Sequence, residues 1–190
     1  AQTVTVTAVD AAVQEGTHSS TITHSAASGD GNYHGISIGN VTATISDNDT
    51  PGVTIAQSGG STAISETGPT SDTYTLALNS QPTADVTLTV DPDAQSDLGS
   101  GTGTAITLTF TAGTWNAPQT VTVTAVDDLV AEGAHTSTIT HTAASGDGGY
   151  NGLSISSVSA AVTDNDTAGV TITQSGGSTA VSETGPTSDT

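Results

Sequence analysis

The 190-residue chain has no Lys and no Arg against 19 Asp plus Glu, for a formal net charge of -19. Without basic side chains it cannot replace phosphate counterions or answer an anionic membrane, which excludes nucleic-acid binding and electrostatic membrane docking. Cysteine is absent as well, and aromatics are only 3% of the chain. A thin aliphatic core therefore lacks disulfide staples, and a bound cation is the remaining common one.

Ala1 opens in a strand-like run without an initiator Met, so a window from a longer chain is expected. The run QTVTVTAVD at Gln2–Asp10 recurs at Gln119–Asp127. At this offset of 117, residues 1–73 align without gaps on 118–190, and 54 of 73 positions are identical. Three segments follow: 1–50 as the back part of one repeat, 51–167 as a complete repeat, and 168–190 as the front of a third. The junctions read DNDTPGVTI (Asp47–Ile55) and DNDTAGVTI (Asp164–Ile172). Connections this short restrict swing between units.

Within 51–167, period-two alternation predicts seven strands in chain order. Val53 and Ile55 open the first, with Glu66 just after it. Tyr74, Leu76 and Leu78 mark the second, and Val86, Leu88 and Val90 the third. Ile106, Leu108 and Phe110 mark the fourth, and Val121, Val123 and Ala125 the fifth. Ser137, Ile139 and His141 share one face of the sixth, and the seventh run covers Leu153 to Val162. Gly-rich turns separate them, and no helical period is present. The pattern predicts an all-β, two-sheet antiparallel sandwich.

The carboxylates fall at the ends of odd-numbered strands. Glu66 follows the first, Asp91 and Asp93 close the third, Asp127 and Asp128 close the fifth with Glu132 beyond, and Asp164 and Asp166 close the seventh. Strands that run the same way end at one pole, so these groups are expected to meet there. In Asp164-Asn165-Asp166, residues i and i+2 point the same way on a strand and can grip one ion. Uncompensated, such a cluster repels itself. Ca²⁺ answers it with six to eight oxygen ligands at irregular angles, whereas Zn²⁺ prefers Cys or His, which this pole is expected to lack.

The pattern VTI…SETG…YTLALN…VTLTVDPD…W…PQTVTVTAVDDLVAEG…VTDND resembles a Calx-beta domain across the whole of 51–167, most specifically in DDLVAE (Asp127–Glu132) and DND (Asp164–Asp166). The resemblance implies tandem immunoglobulin-like sandwiches with Ca²⁺ at the distal pole. It implies ligands from Glu66, one of Asp91 or Asp93, Asp127, Asp128, Glu132, Asp164 and Asp166. In the first repeat the counterparts are Asp10, Glu15, Asp47 and Asp49, with Ala11 in place of the second Asp of the pair; Glu183 is the counterpart of Glu66. The EGxH…TITH and SGDG variant is similar to repeats of long bacterial surface proteins and adhesins.

Other motifs carry less. Gly35–Gly39 fits G-x-S-x-G, but a nucleophile elbow needs a strand, a turn and a helix. The DND segments are not EF-hand loops, because positions five and twelve from Asp164 are Ala168 and Ser175. His135 and His141 are six residues apart, about 20 Å on a strand, too far for one ion. Strand histidines are expected to be packed or hydrogen-bonded.

The expected function is a calcium-stabilised, non-catalytic structural repeat of an extracellular or cell-surface stalk, filament or sheath. Its partners are neighbouring repeats of the same chain, with self-association into fibres through edge strands. The alternatives are a glycan- or protein-binding module using Trp115 or Tyr150, or an accessory domain of a secreted enzyme.

Overall fold

The computed structural model describes residues 1–179 and 181–184, so the end of the 168–190 segment lies outside the described residues. Strands β1 (His18–Ile22) and β2 (Val41–Ile45) form a hairpin in the first segment. The complete repeat holds β3 (Val53–Gln57), β4 (Thr62–Ser65), β5 (Ser71–Leu78), β6 (Val86–Pro92), β7 (Ser96–Asp97), β8 (Ile106–Phe110), β9 (Gln119–Ala125), β10 (His135–Ser145) and β11 (Val158–Thr163).

Two sheets face each other. One has the order β4-β11-β10-β6-β8 and the other β3-β5-β9-β7. Alternating side chains interdigitate between them. Val86, Leu88, Val90, Phe110, Ile139, Val158 and Val162 from the first sheet are essentially inaccessible, as are Tyr74, Leu76, Leu78, Val121 and Val123 from the second. The chain is thus an all-β sandwich, as the alternation predicts.

The expected first strand is two strands in different sheets. A 3₁₀ turn at Ser58–Gly60, with Gly59 and Gly60 at φ 61° and 89°, carries the chain from β3 across the sandwich to β4. Only glycine holds such angles without strain. The fold is also not wholly antiparallel, because β4 pairs parallel with β11, from Thr62 opposite Ala160 to Ser65 opposite Thr163. The seventh run is shorter than expected. Residues 153–157 are irregular, and only Val158–Thr163 is strand.

Two polar links cross the core. Tyr74 Oη and His141 Nε2 are 2.9 Å apart, and His141 Nδ1 lies 2.8 Å from the Ser156 carbonyl. A carbonyl only accepts, so Nδ1 carries the proton and Nε2 accepts from the phenol. Burial holds the His141 pKa below its ordinary value, against the opposing Ser156 hydrogen bond. Tyr150, also buried, donates its hydroxyl to Ser80 O (2.6 Å) and accepts from Ser80 N (3.1 Å). It offers no ring to a glycan. Trp115 is half-buried and packs on the core as an anchor.

The hairpin of the first segment reproduces that of the complete repeat. His18 faces Ile45 through Ile22 facing Val41, and 117 residues on His135 faces Val162 through Ile139 facing Val158.

Replacing Tyr150 by Phe strands the Ser80 backbone groups and is expected to cost about 1–3 kcal/mol. The control is Tyr33→Phe, since Tyr33 is 61% exposed. Urea denaturation of the two variants checks this, and equal midpoints refute it. The depressed pKa of His141 has a signed consequence. The unfolded ring takes up a proton as pH falls through its ordinary value of 6.5, while the folded ring resists. The stability it contributes is present above that value and lost as pH falls through the folded one. Wild type is expected to lose more stability than His141→Leu between neutral pH and about pH 5. Parallel pH–stability curves would contradict this.

Candidate metal centre

Strand direction builds the tip. β4 and β11 run together, β6 is antiparallel to β10 as is β11, and β9 is antiparallel to β5 as is β3. The C-terminal ends of β4 and β9 meet through Thr70, whose N–H donates to Ser65 O (2.8 Å) and whose carbonyl accepts from Ala125 N (3.3 Å), and β11 ends beside β4. The Glu66 N–H donates to Thr163 O at 3.0 Å, which fixes the first acid against the turn that holds the last two.

Glu66 is only 1% exposed, yet neither carboxylate oxygen has a hydrogen-bond partner. It groups with Asp164 and Asp166, and separately with Glu132 and His135. In each set of three, one donor atom per residue lies within 4.8 Å of the others. Burial pushes the Glu66 carboxyl above the usual carboxylate range, and the charges of Asp164 and Asp128 add to this. The Asn165 N–H, short of full hydrogen-bond geometry, and His135 offset part of it.

β11 ends at Thr163, so DND is not strand as expected but a turn beyond it, and its two acids differ. Asp164 Oδ1 accepts from Asp166 N at 2.7 Å, and Oδ2 accepts from Gly133 N. These backbone donors hold its pKa below the ordinary value. Asp166 keeps a buried, unpartnered Oδ2. Burial, then the charges of Asp164, Asp127 and Asp128, raise its pKa.

The remaining expected ligands divide. Asp127 accepts from Asn165 Nδ2 (2.9 Å) and Asp128 from Val130 N (2.7 Å), and both are exposed beside the cluster. Gln95 Nε2 donates to both oxygens of Glu132, at 3.0 and 3.1 Å. Asp93 is committed elsewhere, accepting from Ser137 Oγ (2.6 Å) and Thr138 N (2.7 Å). Asp91 lies within β6 opposite Thr140 and is exposed, so it is not gathered with the others.

The first segment carries a related tip with Asp10, Glu15, Asp47 and Asp49, and Ala11 at the position of Asp128. Asp47 accepts from Glu15 N and Gly16 N (2.8 and 2.7 Å) and from Asp49 N (3.0 Å). These donors lower its pKa, while burial and the charges of Asp47, Asp10 and Glu15 raise that of Asp49. Glu183, in the third segment, is exposed.

One expectation fails at this pole, which is not free of histidine. Gly133, at φ 71°, turns the chain so that His135 faces back on Glu132, with Nε2 3.5 Å from Oε2. His18 and Glu15 do the same across Gly16, at φ 68°, with 3.8 Å between them. The Glu-Gly-x-His sequence in both repeats was the available signal.

Without a metal ion, ionised Glu66 opposes folding. Its folded pKa is raised, so stability is greatest below the unfolded carboxyl value and is lost as pH rises through the folded one. In chelator at neutral pH, Glu66→Gln is therefore expected to melt above wild type, with the gap closing as pH falls. Calorimetry checks the order, and a variant that melts lower at every pH would refute it.

No known protein family matches the chain by sequence, and no curated protein does. Among solved structures it is similar to the apo form of the Calx CBD1 domain, with TM-score 0.40 and 15% identity over 60% of this chain and 98% of that one.

Proposed function

We propose that the chain is part of a tandem array of Calx-beta-like, immunoglobulin-like sandwiches that bind Ca²⁺ and serve as a non-catalytic structural element of a long extracellular or cell-surface protein. The observation that carries this reading is Glu66, a buried carboxylate with both oxygens unpartnered, facing Asp164 and Asp166. Burying an ion without a partner is costly, and no Lys or Arg exists to neutralise it. A hard divalent cation supplies the missing charge and uses the idle lone pairs. A set of carboxylates that can each bind through one oxygen or both favours Ca²⁺ over Mg²⁺, which demands a strict octahedron.

Contacts at the first junction support a stiff array. Gln81 N donates to Ala12 O at 2.7 Å, and Val13 bridges to Gln81 in parallel β fashion. The loop between Asp10 and Glu15 thus rests on the complete unit beside its own acidic tip. By the internal alignment, Leu129 and Val130 occupy the positions of Ala12 and Val13. They are 93% and 57% exposed, as a docking surface for a following unit would be before that unit is in place. The neighbouring repeats are therefore the principal partners.

Ca²⁺ at about a hundred times its dissociation constant stabilises by about 2.7 kcal/mol. The melting temperature is then expected to rise roughly 5–10 °C over a chelated sample, while Asp166→Asn loses most of this. X-ray scattering of the same samples is expected to show a more extended, less flexible particle with Ca²⁺. Identical melting and scattering profiles with and without Ca²⁺ would overturn the reading.

A further inference from the structure

The acidic tip has a second pocket of donors that differs in chemistry from the first. His135 Nδ1 lies 2.9 Å from the Gly133 carbonyl and donates to it, which leaves Nε2 as the ring nitrogen that can offer a lone pair to a metal ion. Nε2 is buried without a hydrogen-bond partner. It faces Glu132 Oε2 at 3.5 Å, and Glu66, itself 1% exposed and unpartnered, completes the group. Donors at a tetrahedral angle on bonds of about 2.1 Å stand about 3.4 Å apart, close to the His135–Glu132 separation.

Both ligands carry outer supports of the kind metal ligands need. The Gly133 carbonyl fixes the imidazole tautomer, and Gln95 holds both oxygens of Glu132. An imidazole nitrogen is a poor ligand for Ca²⁺ and a good one for borderline transition metals.

We propose that His135, Glu132 and Glu66 form a transition-metal subsite, selective for Zn²⁺-class ions, beside the all-oxygen group of Glu66, Asp164 and Asp166. Glu66 belongs to both groups, but the subsite does not rest on the calcium reading. The pair His18 and Glu15 has the same local turn, and among the described residues no third carboxylate groups with it, so it is the internal control.

The test is titration of the full chain with Co²⁺ in excess Ca²⁺, followed by visible absorption, with displacement by Zn²⁺. The expected result is one tight site per chain with the absorption of nitrogen-ligated Co²⁺. His135→Ala should weaken it at least about tenfold, while His18→Ala leaves it unchanged. Glu132→Gln, an exposed position whose loss is not expected to unfold the chain, should also weaken it. Titrations that superimpose for wild type, His135→Ala and Glu132→Gln overturn the proposal; they indicate that the imidazole only forms an ion pair with Glu132. If Co²⁺ binds as expected while Ca²⁺ fails to stabilise the chain, the calcium reading alone falls. If Ca²⁺ stabilises His135→Ala as it does wild type and no tight Co²⁺ site exists, the transition-metal subsite alone falls.

Discussion

The structure turns on one uncompensated charge. Glu66 is placed by backbone pairing, because its N–H bonds Thr163 O at the end of the β4–β11 ladder, and its side chain is sealed where no cationic residue exists. The rest of the tip is arranged around that fact. Asp164 turns to backbone N–H groups and is satisfied by them, while Asp166 and Glu66 are left with idle oxygens. A chain with Lys or Arg could have closed this gap with an ion pair. Among the described residues, only His135 groups with Glu66 as a possible cation, and its Nδ1 is already committed to a carbonyl.

Much of this was readable because alternation reports which face a residue occupies. Tyr74, Leu76 and Leu78, or Val121, Val123 and Ala125, lie inward as their spacing requires. What alternation does not report is which sheet a strand joins. Nothing in Val53–Ser65 other than Gly59-Gly60 signals that the chain crosses the sandwich, and the parallel β4–β11 pair follows from that crossing. Strand-end reasoning located the pole but treated Asp91 and Asp93 alike. Asp91 falls within the ladder on the outer face, and Asp93 caps the start of β10 through Ser137 and Thr138. His135 was missed for a related reason. Distance along a strand excluded a shared ion with His141, but the relevant neighbour was Glu132, brought close by a glycine with positive φ.

The repeat separates local from long-range causes. Val4 and Val6 match Val121 and Val123 in sequence register, yet the first pair is 80% and 55% exposed and the second 1% and 0%. Identity of sequence does not bury them; the strands of the opposing sheet do. The turn around Asp47 nevertheless forms in the exposed copy, with Gly16 N and Asp49 N donating as Gly133 N and Asp166 N do to Asp164. The acid turn and its glycine are therefore encoded by a stretch of about thirty residues, while the buried carboxylate must come from a distant part of the chain.

That division gives a metal ion at the tip a specific leverage. Glu66 precedes Asp164 by most of a repeat, so an ion bound to both closes a long loop, and closure of a long loop removes more unfolded-state entropy than closure of a short one. In a chain without cysteine such an ion would impose the constraint that a disulfide imposes, made reversible by chelation. It also acts where it matters for a chain of linked units. Three residues separate Asp49 from Val53, where the next strand begins, so an ion that fixes this turn would fix the direction in which the following unit leaves. Under the proposed calcium binding, stability of one sandwich and orientation of its neighbour would be set by the same few carboxylates.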